Sequence, residues 1–243
     1  MKKIIKEIVR WLAITKLFPR SLEKILGYYH FYRNETVLSF TGTNSKIFKL
    51  ICQIKKEVRM FLSIPEAFQI YLAVAKIKNI SGDIAEVGVG EGGSAKLISE
   101  ANDGNKTIHL FDTFEGLPEI SGFDNPQKFF ERKYAVSLDK VKDYLKNYVN
   151  IYFYKGIFPS TAEPIENKKF SFIHLDADIY ESTLNSLKFF YPRMNAGGII
   201  LSHDYPGAEG VKKAFDEFFK DKPETIIELL GWEANGQCLI VKL

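Results

Sequence analysis

Residues 85–95 read Ala-Glu-Val-Gly-Val-Gly-Glu-Gly-Gly-Ser-Ala. An apolar, strand-like run at 84–88 leads into this segment, and amphipathic spacing at about 93–101 follows it. Gly88, Gly90, Gly92 and Gly93 therefore sit where a strand hands over to a helix. Residues without a Cβ allow backbone N–H groups to approach a ligand closely, and the positive end of the helix favours an anion or carboxylate there. Working outward, short apolar runs at 107–112, 151–154, 170–176 and 198–202 alternate with helical patterns at 137–148, 181–191 and 208–220. Alternation of this kind predicts an α/β domain on a mostly parallel sheet. Runs at 225–230 and 237–242 are separated by too few residues for a crossover helix, so they are expected to form an antiparallel hairpin at the end of the sheet.

The 243 residues are 46% hydrophobic and 14% aromatic, with 20 Phe and 12 Tyr, enough apolar surface for a sizeable core. That excludes a fibre, a disulfide scaffold or a disordered chain. Cys52 and Cys238 are far apart, and His30, His109, His174 and His203 contain no short-range ligand pair, so neither a disulfide framework nor a histidine zinc motif is expected. The formal charge of +3 is unevenly spread: residues 1–60 hold 13 basic and 4 acidic side chains, and the remainder holds 20 and 26. We therefore divide the chain into a basic helical extension (1–60) and an α/β domain (61–243). Residues 1–18 read as an amphipathic helix, expected either to pack on the protein or a partner subunit or to lie in an anionic headgroup layer. Further helices are expected at 20–31, 45–61 and 65–78, with a connector at 39–45. No signal peptide or membrane span is read, so the expected location is cytoplasmic, with peripheral membrane contact through residues 1–18 as the alternative.

Gly88, Gly90 and Gly93 fit the GxGxxG pattern of nicotinamide and flavin sites. With Glu86 the same segment is E-x-G-x-G, which resembles motif I of class I S-adenosylmethionine (SAM)-dependent methyltransferases. Asp112, at the end of the second strand, suits the ribose hydroxyls of either cofactor. Asp176 ends the fourth strand, and His203 and Asp204 end the fifth. In an open α/β sheet these strand ends line one ligand crevice. Carboxylates on that rim suit an oxygen-ligated Mg²⁺ and the deprotonation of a hydroxyl. Asp178 and Ser182 read as a helix-terminal charge and cap. Residues 119–135 read as a lid over the acceptor, with Phe123, Phe129 and Tyr134 as candidate stacking groups.

The blocks EVGVGEGGSA (86–95), FDTFEGLPE (111–119), KGIFPST (155–161), FSFIHLDADIYEST (170–183), FFYPRMNAGGII (189–200) and HDYPGAEGVKKAFDEFF (203–219) occur in order. Together they resemble the macrocin O-methyltransferase (TylF) family over roughly residues 60–243. The resemblance implies a Rossmann-like class I methyltransferase fold and SAM-dependent, Mg²⁺-assisted methylation of a hydroxyl on a sugar or glycosylated acceptor. It implies that Glu86, Gly88 and Gly90 hold the methionine end of SAM and Asp112 its ribose, with Gly93, Ser94, Thr113 and Gly156 completing the cofactor site. Asp176, His203 and Asp204 are then the metal and catalytic set. Family members have consecutive aspartates at the second metal position, and His203-Asp204 departs from that. A small-molecule or glycan acceptor, no nucleic acid, and a homodimer are expected. Two rival readings are a SAM-fold enzyme of another chemistry, hydroxylase-like or NAD-dependent, and a non-catalytic SAM-binding scaffold.

Overall fold

The computed structural model describes residues 43–229 and 236–243. The expectations for residues 1–18 and 20–31 lie outside them, as do residues 39–42 of the connector expected at 39–45; its residues 43–45 are helical instead. Helix α1 (Thr43–Glu57) and helix α2 (Ile64–Lys76) lead into the α/β domain, close to the expected 45–61 and 65–78. A capping box starts α2: the Ser63 hydroxyl accepts from Glu66 N at 3.5 Å, and Glu66 Oε2 accepts from Ser63 N at 2.6 Å. This satisfies two amides that would otherwise lack partners.

After α2 come β1 (Asp83–Val87), α3 (Gly93–Asn102), β2 (Ile108–Asp112), α4 (Leu138–Leu145), β3 (Ile151–Lys155), β4 (Phe170–Leu175), α5 (Tyr180–Phe190), β5 (Met194–His203), α6 (Glu209–Phe219), β6 (Ile227–Leu229) and β7 (Gln237–Val241). The seven strands lie in the order β3-β2-β1-β4-β5-β7-β6. The first five are parallel, and β7 runs antiparallel to both β5 and β6. The hairpin expected at the sheet's end is thus present, with its second strand inserted next to β5.

All six residues of β4 are buried, as its continuous apolar run requires of a strand covered on both faces. Phe111, Phe158, Phe170 and Phe190 form an aromatic cluster there; Phe158 and Phe190 stack at 5.0 Å, and Phe111 meets Phe158 edge-on at 5.0 Å. The strand order reverses between β1 and β4, whose chains then lead to opposite sides of the sheet. Their carboxyl ends frame the crevice in which open α/β sheets bind ligands.

Candidate active site

A cavity of about 240 Å³ opens at those strand ends. Gly88, Gly90, Gly93, Ser94, Asp112, Thr113, Gly156, Asp176, His203 and Asp204 all line it, so ten of the eleven residues expected to bind the cofactor or a metal or to catalyse converge on one space. The eleventh, Glu86, does not line it. It is fully buried on β1 beneath the glycine turn, where its Oε1 lies 2.8 Å from His174 Nδ1. Burial raises the Glu86 pKa, opposed by His174 and by the Ser94 hydroxyl. Glu86 is therefore placed to hold the turn from below.

The turn requires its glycines for two separate reasons. Gly88 has φ +87°, and a Cβ there would come within 1.9 Å of the Asp176 carbonyl oxygen. Gly90 has φ +51°, and a Cβ there would meet nothing within 4 Å, so this face is open toward the cavity. Asp112 organises the same segment: its Oδ2 accepts from Val89 N at 2.7 Å and Gly90 N at 3.0 Å, and its Oδ1 accepts from Phe114 N at 2.7 Å. Open backbone at Gly90, a helix N-terminus at Gly93 and a carboxylate at the end of β2 together fit a nucleoside-bearing cofactor with a carboxylate tail.

Across the cavity, His203 Nδ1 lies 3.0 Å from Asp176 Oδ1 and 3.4 Å from Asp204 Oδ2, and its Nε2 lies 3.7 Å from Glu66 Oε2. Against burial, which lowers it, these carboxylates hold the His203 pKa well above its ordinary value. Asp204 is held low despite burial by His203, by Lys128, whose Nζ is 3.9 Å from Asp204 Oδ1, and by Asp178. The Asp178 pKa is pushed well up, by burial, by Asp176 and by Asp204, to which its carboxyl is hydrogen-bonded. One donor atom each from Asp176, His203 and Asp204 lie within 4.8 Å of one another. Two carboxylate oxygens and an imidazole nitrogen form a donor set that fits a divalent cation.

Several features were not read correctly from the sequence. Ile179, not Asp178 or Ser182, occupies the α5 N-cap, and no side chain caps that helix. Asp178 instead has φ +63° and, with Ser182, lines the cavity. Arg59 and Met60 line it as well, ahead of residue 61. The sequence signals Glu66 only as the fourth residue of a Ser-x-x-Glu capping box, a pattern that fixes a carboxylate without showing that it faces His203. In the 119–135 segment, Phe129 and Tyr134 face the cavity, whereas Phe123 packs edge-on to Tyr180 at 4.7 Å. Tyr134 also meets Phe61 edge-on at 5.2 Å, and its pKa is pushed up to about 12 by burial and by Asp178, Asp204 and Asp176.

The sheet order, with its antiparallel last strand, and the crevice between β1 and β4 define the Rossmann-like architecture of the O-methyltransferases. Residues 66–229 match the macrocin-O-methyltransferase (TylF) family, and the chain belongs to it. Demethyldecarbamoylnovobiocin O-methyltransferase of Streptomyces niveus is 30% identical over 172 residues, 65% of each chain. Mycinamicin III 3''-O-methyltransferase of Micromonospora griseorubida is 29% identical over 142 residues, 52% of this chain and 56% of its own. The chain thus spans less than two thirds of the length of these curated relatives. Among solved structures, the O-methyltransferase NovP superposes with a TM-score of 0.65 at 25% identity, covering 74% of this chain and 80% of its own. Calicheamicin methyltransferase CalS11 shares the fold, with a TM-score of 0.60 at 15% identity over 83% of this chain and 94% of its own.

Proposed function

We propose that this chain transfers a methyl group from SAM to a hydroxyl of a sugar or glycosylated small molecule. The observation that carries the reading is the continuity of one cavity, with the glycine turn and Asp112 on one side and Asp176, His203 and Asp204 on the other. Family membership and the relatives' activity on hydroxyls support it.

SAM, when bound, supplies a methyl carbon activated by the neighbouring sulfonium. Gly88 and Gly90 present backbone to its methionine end, and Asp112 accepts from its ribose hydroxyls. Glu86 acts through the turn it supports. A divalent cation held by Asp176, His203 and Asp204 would supply Lewis acidity to the attacking hydroxyl. Asp176, the more exposed of the two carboxylates, takes the hydroxyl proton. Tyr134 stays neutral at physiological pH and offers a ring face and a hydroxyl to the acceptor. Methyl transfer is then largely a matter of positioning two reactants in line.

The test is methylation of a panel of glycosides by the full chain, with Asp176→Asn beside it. The reading requires product with the wild type and at least a ~100-fold lower rate in the variant; equal rates would remove Asp176 from its role. Homodimer formation and binding of residues 1–18 to an anionic surface are carried forward from the sequence as part of the same proposal. Light scattering and liposome sedimentation of a chain lacking residues 1–18 check them.

A further inference from the structure

His203 is enclosed by the carboxylates of Asp176, Asp204 and Glu66, and these surroundings decide the kind of ion the site takes. Mg²⁺ prefers hard oxygen donors in near-ideal octahedral geometry, and an imidazole nitrogen is a poor substitute. First-row transition ions accept imidazole readily beside carboxylates. Nδ1 stands 3.0 and 3.4 Å from the two carboxylate oxygens, and one donor atom from each of the three residues lies within 4.8 Å of the others, so a small inward movement of the carboxylates completes the set around an ion. Two donors each about 2.1 Å from one ion and at a right angle stand about 3.0 Å apart.

The opposite edge of the ring makes the second observation. A metal-bound histidine characteristically directs its other nitrogen at a carboxylate, which fixes the ring and increases its basicity. Nε2 of His203 faces Glu66 Oε2 at 3.7 Å, and that oxygen is itself tied to Ser63 N at 2.6 Å by the capping box of α2. Glu66 is 2% exposed, and its other oxygen, Oε1, has no hydrogen-bond partner. A buried, half-satisfied carboxylate at the start of a helix is costly unless it serves a neighbour. Lys128 approaches Asp204 from Oδ1, leaving Oδ2 toward His203.

We propose that the site selects a transition-metal divalent cation such as Mn²⁺ over Mg²⁺, ligated by Asp176, His203 through Nδ1, and Asp204, with Glu66 as the positioning residue for the His203 ring. This deepens the methyl-transfer reading and is tested without SAM or acceptor, so failure here leaves a separate SAM titration untouched.

The experiment adds Mn²⁺ to the full, metal-stripped chain and follows the loss of the aqueous six-line electron paramagnetic resonance signal, with Mg²⁺ as competitor. One Mn²⁺ per chain is expected, displaced only by at least a ~10-fold excess of Mg²⁺. Pulsed spectra are expected to show ¹⁴N modulation from a directly bound imidazole, absent in His203→Asp, which regains the all-oxygen set and loses the preference for Mn²⁺. Glu66→Gln should weaken Mn²⁺ by about 10- to 100-fold while keeping the ¹⁴N signal. No Mn²⁺ binding by the wild type, meaning that the imidazole itself serves as the cation, would overturn the proposal. So would Mn²⁺ binding without ¹⁴N modulation. Both readouts use the wild-type chain and do not depend on either variant folding.

Discussion

At Asp112 a single carboxylate does two jobs, holding the amides of Val89, Gly90 and Phe114 and facing the cavity. Replacing it by Asn retains the shape but removes the charge, and hydrogen bonds to a charged group are worth about 1.5–3 kcal/mol each. Asp112→Asn should therefore weaken SAM by about 10- to 100-fold in calorimetry; unchanged affinity would separate Asp112 from the cofactor. Gly88 is a different case, since a Cβ 1.9 Å from the Asp176 carbonyl forces β1 and β4 apart. Gly88→Ala is expected to cost about 3 kcal/mol or more, a fall in Tm of roughly 6–12 °C for a chain of this size. Glycine and aspartate positions of this kind were legible in the sequence because strand ends impose them. Asp178 was not, because a left-handed backbone at φ +63° swings its side chain from the helix start toward Asp204.

At the level of elements, the alternation of strand and helix was legible because each parallel strand carries a continuous apolar run. The position of β7 between β5 and β6 was not, since strand order depends on pairing partners distant in sequence. Strand β5 also begins at Met194 rather than 198, because Met194 pairs with Phe170 across an irregularity in register. The end of β7 is secured by Glu224, whose Oε1 lies 2.6 Å from Lys242 Nζ and whose Oε2 accepts from Tyr191 at 2.7 Å. Against the cost of burial, Lys242 and Tyr191 hold the Glu224 pKa down to about 2. A depressed carboxylate adds stability that is fully present above its unfolded value of about 4.3 and is lost as the pH falls toward 2. Glu224→Gln leaves the Lys242 charge without its partner and should cost about 3 kcal/mol in urea unfolding at pH 7, with the difference shrinking at about pH 3. In the 119–135 segment, Phe129 is 2% exposed and Phe123 is 49% exposed. Phe129→Ala should lose about 3–5 kcal/mol of stability, whereas Phe123→Ala should leave acceptor KM unchanged.

Across the whole molecule, the uneven charge seen in the sequence acquires a partial structural counterpart. The excess of acidic residues beyond position 60 includes the carboxylates gathered around His203, which suit cationic partners such as a metal ion or the SAM sulfonium. Among the described residues no helix is long and apolar enough to cross a membrane. Family, fold and the meeting of ten expected residues in one cavity support the proposed methyl transfer onto a hydroxyl. The most direct test supplies the full chain with SAM carrying a ¹³C-labelled methyl group and a panel of glycosides, then reads acceptors by mass spectrometry and S-adenosylhomocysteine by chromatography. The prediction is one labelled methyl on an acceptor oxygen for each S-adenosylhomocysteine formed. A chain that binds NAD but not SAM, or that forms S-adenosylhomocysteine without any labelled acceptor across the panel, would contradict it.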